Sequence, residues 1–161
     1  MIRGGEGATS QQQESTGTKG KAWALVMTDP QTGLPNELVV HDRLNQALAR
    51  QPRYGGEVVI ITVVLDNLED INESAGYAVG NDVLLETARR LTTALRTEDT
   101  VGRTGKYELR TVVSVAEEAN VEPLARRLRA VLDEPVEVAG GQFALRFTLT
   151  ARLPDSSGSA D

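Results

Sequence analysis

Carboxylates, arginines and one histidine are the side chains here with chemistry to offer. Asp66, Glu69, Asp70 and Glu73 form an acidic patch. Such a patch suits a loosely held cation or a solvated turn, and the turn is the plainer expectation. His41 is the chain's one histidine, with no second histidine, cysteine or acidic cluster spaced to share a metal with it. The sequence contains no cysteine, which excludes a disulfide framework, a thiolate metal site and a thiol nucleophile. That is in keeping with a cytoplasmic protein. Arg126, Arg127 and Arg129 share one short segment and by themselves read as a solvated helix face. Gly140-Gly141 reads as hairpin punctuation, not a phosphate loop, because no helix N-terminus follows it.

The elements that must carry these groups follow from periodicity. Residues 1–21, rich in Gly, Ser, Thr and Gln, offer almost nothing to bury and are expected to form a flexible tail. Trp23 is expected to pack at the start of the ordered domain, which spans 22–153, and residues 154–161 are expected to form a second tail. Asp29-Pro30 and Gly33-Leu34-Pro35-Asn36 are turn chemistry. A helical pattern starts at Glu37 and ends around Arg50–Tyr54. Residues 57–65 (EVVIITVVL) are a β-branched run of the kind buried on both faces of a sheet. Asp66–Ser74 reads as a helical turn. Residues 81–95 carry apolar side chains at 84, 85, 88, 91 and 95, an amphipathic helix capped by Asn81 or Asp82. Thr100–Arg103 and Tyr107–Val115 read as a hairpin, 121–133 as a helix with Pro123 in its first turn, and Pro135–Val138 with Gln142–Arg152 as a second hairpin. This order predicts an α+β fold, with helices flanking a mostly antiparallel sheet.

The bulk numbers fit one domain. The chain has 161 residues, 40% hydrophobic and 25% charged, with a net charge of −6. A field of that sign disfavours non-specific binding to nucleic acid or an anionic membrane. The longest apolar run, Val58–Leu65, is far shorter than the roughly 20 residues that span a bilayer, and the first residues do not form a secretory signal.

Four segments, in order and in register, resemble the diguanylate cyclase (GGDEF) family. Asp29-Pro30-Gln31-Thr32-Gly33-Leu34-Pro35-Asn36 is similar to D-x-L-T-x-L-x-N, with Gln31 where Leu is usual. Leu65 to Glu73 resembles D-x-D-x-F-K-x-I-N-D, Gly76 to Asn81 resembles G-H-x-x-G-D, and Arg103 to Leu109 stands where R-x-G-G-D/E-E-F is usual. The resemblance covers Asp29 to Leu153. It implies a nucleotide-cyclase-like sandwich that lacks the family's final helix and strand, because the sequence passes to PDSSGSAD. Arg152 falls near the glycine of the family's S-I-G-I-A strand.

The resemblance implies condensation of two GTP into cyclic di-GMP, with Mg²⁺ held by the first Asp of D-x-D and the third residue of the loop. Those positions are Val64 and Tyr107, neither of which offers an anionic oxygen. The loop's second Gly is Lys106. Asn72 matches the guanine-contacting Asn, Asn81 stands where Asp reads guanine, and Gly105 and Glu108 keep their loop identities. Asp66 matches the second Asp of D-x-D. Alternation along a strand is expected to keep Asp66 and Glu108 away from the place where Val64 and Tyr107 project. The expectation is therefore a non-enzymatic domain with no cofactor and no metal.

In many of these cyclases an inhibitory R-x-x-D site begins nine residues before the loop's first Gly. That offset gives Arg96-Thr97-Glu98-Asp99, which the resemblance assigns to cyclic di-GMP. Arg127 stands where a second arginine joins from a neighbouring molecule. An arginine fork suits a phosphate or a guanine edge, and a carboxylate can accept from guanine N–H groups. Set against this, Arg96 and Asp99 also suit the end of a helix and the turn after it. Two functions follow: a regulator sensing cyclic di-GMP, with residual guanine-nucleotide binding around Asn72 and Asn81, or a structural dimerisation or docking module that binds no nucleotide. A working cyclase is a remote third. Self-association or a signalling protein is the expected partner.

Overall fold

The computed structural model describes residues 27–154, and the expectations for residues 1–21, Trp23 and the segment after Pro154 lie outside the described residues. The chain runs α1 (Glu37–Tyr54), β1 (Glu57–Leu65), α2 (Leu68–Ala75), α3 (Tyr77–Ala94), β2 (Thr100–Gly105), β3 (Glu108–Val115), a 3-10 turn (Glu118–Asn120), α4 (Val121–Asp133), β4 (Val136–Val138), β5 (Gly141–Phe143) and β6 (Phe147–Arg152). The main sheet has the order β2-β3-β1-β6 and every pairing in it is antiparallel.

The β-branched run at 57–65 lies inside the sheet because both of its faces find apolar cover. Val59, Ile61, Val63 and Leu65 belong to the larger core, with Leu84 and Leu91 of α3 and Leu128 and Leu132 of α4. Val58 and Ile60 face the other way, against Val40 and Leu44 of α1. The period of two thus splits one strand between two helical layers. Beyond Ile60 that second face turns polar, and the candidate site sits there.

Two boundaries differ from the expectation. α3 starts at Tyr77, four residues before the predicted cap, with Gly76 as its N-cap at φ 98°. The turn chemistry of Gly76 ends α2 and starts α3 in one residue, which leaves Asn81 inside the helix. Residues 142–152 are not one strand. β4 and β5 form a separate two-stranded sheet, and β6 joins β1 after a break at 144–146. That break is pinned by Asn67, whose amide donates to the Ala144 carbonyl (2.8 Å) and accepts from the Arg146 N–H (3.0 Å).

Asn36 caps α1, its side-chain oxygen accepting from the N–H groups of Leu38 and Val39. Gly102 is where that cap region meets the sheet. A Cβ there would stand 2.5 Å from Val40 Cγ2 and 3.0 Å from the Pro35 carbonyl, so only glycine lets α1 seat on β2.

Candidate functional site

The hairpin joining β2 to β3 turns on Lys106-Tyr107, between the register pair Gly105 and Glu108. Arg103 fastens it to the start of the domain. Its guanidinium, 9% exposed, pairs with Asp29 at 2.9 Å and donates to Gln31 Oε1 and the Lys106 carbonyl, each at 2.8 Å. Partial burial raises the Asp29 pKa, but hydrogen bonds from Thr32 and Arg103, with the Arg103 charge, outweigh it and hold the group below its ordinary value. Gln31, the departure from the family's leucine, is thus a partner of this clip.

Val64 is half-buried and stands opposite Glu108 on β3 and Thr148 on β6. This corrects the expectation that Asp66 and Glu108 point away from it. Cross-strand partners share a face, and Asp66 lies two residues beyond Val64, in phase with it. The one that departs is Tyr107, which packs against the larger core. Its carbonyl accepts from the Leu65 N–H at 2.8 Å, and the Lys106 ammonium lies 5.4 Å from its ring centroid. The two positions without carboxylates therefore do not share a face.

Both surviving carboxylates are engaged. Glu108 accepts from Thr104 Oγ1 at 2.6 Å and lies 3.4 Å from Arg110. Asp66 accepts from Thr148 Oγ1 at 2.8 Å. The acidic patch is partly neutralised, since Arg146 lies 3.5 Å from Asp70. Among the described residues no group of three or more His, Cys, Asp and Glu is placed to hold a metal ion. The donor set does not fit Mg²⁺, which prefers several converging oxygens at short range. Asn72 is half-buried with its side chain against Gly80, where a Cβ would meet its Oδ1 at 1.6 Å, and Asn81 is the next residue of α3.

The second set of residues lies at the other end of α3. Arg96, Asp99 and Arg127 line one cavity of about 550 Å³. Arg96 is exposed, and among the described residues its guanidinium makes no hydrogen bond or ion pair; its backbone N–H donates to Asp99 Oδ2 at 3.0 Å. Burial, the largest influence, raises the Asp99 pKa and the Glu98 charge adds to it, while the Arg96 N–H and charge oppose. Arg127 donates to the Ala94 carbonyl at the end of α3 (2.9 Å). The three line this cavity within one chain. A second cavity of about 760 Å³ shares Arg96 and Asp99 and adds Arg43 and Arg50 of α1. Those α1 arginines were missed in the sequence, as was Arg110: no local pattern links residues 50 positions apart, and only the fold does.

Comparison with known proteins agrees with this architecture. The family described as diguanylate cyclase, GGDEF domain, matches residues 26–155. The bifunctional diguanylate cyclase/cyclic di-GMP phosphodiesterase MucR of Pseudomonas aeruginosa is 29% identical over 83% of this chain, and diguanylate cyclase DgcP of the same species is 34% identical over 66%. The chain spans only 20% and 16% of the length of those two proteins. The crystal structure of a sensory box/GGDEF family protein from Caulobacter crescentus is 31% identical, with a TM-score of 0.72, covering 79% of this chain and 83% of that one. No helix among the described residues is long and apolar enough to cross a membrane. The chain belongs to the diguanylate cyclase GGDEF-domain family.

Proposed function

We propose that this member of the GGDEF family is a regulatory domain without cyclase activity, which binds cyclic di-GMP through Arg96, Asp99 and Arg127. One observation carries the reading: those three residues line one cavity, and the exposed Arg96 guanidinium has no partner among the described residues. The dinucleotide's two phosphates need fixed positive charge, which the arginines supply without a metal. A guanine N–H edge needs an acceptor, which is the role of Asp99. The former nucleotide site supports the same conclusion from the other side. Val64 and Tyr107 offer no ligand, and Asp66 and Glu108 are held by threonine hydroxyls. Asn72, Asn81 and Gly105 remain as vestiges of a guanine-nucleotide site.

Calorimetry with cyclic di-GMP tests the reading. Wild type is expected to bind, and Arg96→Ala to lose a charge-assisted contact of about 1.5–3 kcal/mol, a ten- to hundredfold drop in affinity. No heat from wild type, or equal binding by the variant, overturns it. A second reading has its own observation. Asp99 already accepts from its own turn and Arg127 already caps α3, which suits a protein-interaction module that binds no nucleotide. A thermal-shift scan separates the two, because a ligand bound only to the folded state raises the melting temperature.

A further inference from the structure

The polar face around Val64 also holds a cationic side chain, Arg110. Arg110 follows Glu108 by two residues on β3, so both project to Val64's side of the sheet. Its Nη2 lies 3.4 Å from Glu108 Oε2, and its Nε donates to Thr62 Oγ1 at 3.1 Å. Thr62 is the register partner of Arg110, as Val64 is of Glu108, so the contact anchors the guanidinium across the strands. The same Glu108 oxygen accepts from Thr104. The two charged side chains are 23% and 27% exposed, sheltered enough for position to matter.

We infer that Arg110 is the resident counter-ion of this face and keeps divalent metal off Glu108. The inference rests on the reading of the domain as metal-free and names the residue that enforces it. A divalent cation needs anionic oxygens that converge on open space. Here the carboxylate opposite Val64 already faces a cation, tied at one end to Glu108 and at the other to Thr62. An incoming metal must displace that guanidinium or sit beside it, and both are unfavourable at a separation of a few ångströms. Loss of the ligand at position 64 is therefore only one of two barriers. An aspartate placed at 64 would stand across from Glu108 with Arg110 adjacent, and the guanidinium would bridge the two acids in the metal's place.

Titration with Mn²⁺, followed by the resonance signal of the free ion, tests this in the whole chain. Wild type and Val64→Asp should leave the Mn²⁺ signal unchanged. Val64→Asp with Arg110→Leu should bind it at least about tenfold more tightly than Val64→Asp alone. Val64→Asp with Arg110→Lys, which keeps the charge, should behave like Val64→Asp. Should the leucine variant fail to fold, Arg110→Gln with Val64→Asp carries the same comparison. If wild type is silent but Val64→Asp binds Mn²⁺ as tightly as the double variant, Arg110 excludes nothing and only this inference fails. If wild type itself binds Mn²⁺ and converts GTP, the inference fails together with the metal-free reading beneath it.

Discussion

The two ends of α3 carry arginines of opposite kinds. Near its start, Arg103 and Arg110 are committed to partners within the chain: Asp29, Gln31 and a loop carbonyl for one, Glu108 and Thr62 for the other. Past its end, about 27 Å away along the 18-residue helix, Arg96 lines a cavity and its guanidinium has no such commitments among the described residues. A guanidinium whose donors are filled stabilises the fold and has little left for a ligand. One held in position by its backbone while its fork stays open has already met part of the ordering cost of binding. The same residue type thus marks a closed site at one end and an open one at the other.

Turnover carries the largest expected effect at the closed end. Homogeneous protein is expected to make no cyclic di-GMP from GTP with either Mg²⁺ or Mn²⁺, an all-or-none result read by chromatography of the products. Product formation abolished by mutating Asp66 or Glu108 would mean the closed end is open after all. Val64→Asp with Tyr107→Glu should not restore activity, because Lys106 and Arg110 remain and position 107 lies off the face of Val64.

The next effect separates arginines that hold the fold from the one that waits. Arg90, between Arg96 and the start of α3, pairs with Glu86 at 3.2 Å and donates to the carbonyls of Val131, Glu134 and Pro135 at the end of α4. Arg90→Ala should cost about 1.5 kcal/mol, since it removes a largely sheltered guanidinium and its charge-assisted bonds to one part-buried and two exposed carbonyls. Arg96→Ala should cost less than about 0.5 kcal/mol. Urea unfolding of both variants makes the comparison directly, and equal losses would show that Arg96 is structural.

Much of this was legible in the residues themselves. EVVIITVVL reads as a doubly covered strand because β-branched side chains leave few alternatives, and it forms over the expected 57–65. The helix at 121–133 reads as well, with Pro123 in the turn where its missing N–H does no harm. The start of α3 did not, because Gly76 ends one helix and starts the next, and a glycine so placed reads equally as a loop. Nor did the face of Glu108. Its phase relative to Val64 depends on the register of β1 against β3, a contact between residues over 40 positions apart that no local pattern encodes, whereas that of Asp66, two residues beyond Val64, follows from simple alternation. That Arg96 and Arg127 of one chain line the same cavity was not legible either, because they meet only through the packing of α4 beside the end of α3.

Arg127 gives a smaller effect. Its guanidinium already donates to the Ala94 carbonyl, so only part of its fork is free for a ligand. Arg127→Ala should weaken cyclic di-GMP by about three- to tenfold, less than Arg96→Ala, because one of its donors was spent before the ligand arrived. Since all three residues belong to one chain, saturation should not require a second molecule. Sedimentation with and without ligand reads this. Obligatory dimerisation on binding would mean that Arg127 acts on a neighbour's cavity instead of its own.

The smallest effect is one of pH, and its sign differs at the two ends. Asp29, held below its ordinary pKa, contributes stability that is full above the unfolded value and lost as pH falls through the folded one. Asp99 is raised, burial being the main cause, so the folded chain takes up that proton more readily than the unfolded chain. Its charge therefore costs stability above the folded value, and the cost disappears as pH drops below the unfolded one. Ligand binding responds in the opposite sense at this residue. A protonated Asp99 loses acceptor capacity that the ionised carboxylate keeps beside its bond from the Arg96 N–H, so affinity should fall as pH is lowered into the carboxylate range, before the bulk of surface acids titrate. Asp99→Asn should flatten that dependence while lowering affinity at neutral pH. Calorimetry at stepped pH on wild type and Asp99→Asn decides it. A wild-type affinity that rises on acidification, or an unchanged slope in the variant, would remove Asp99 from the ligand and leave it as the cap of its own turn.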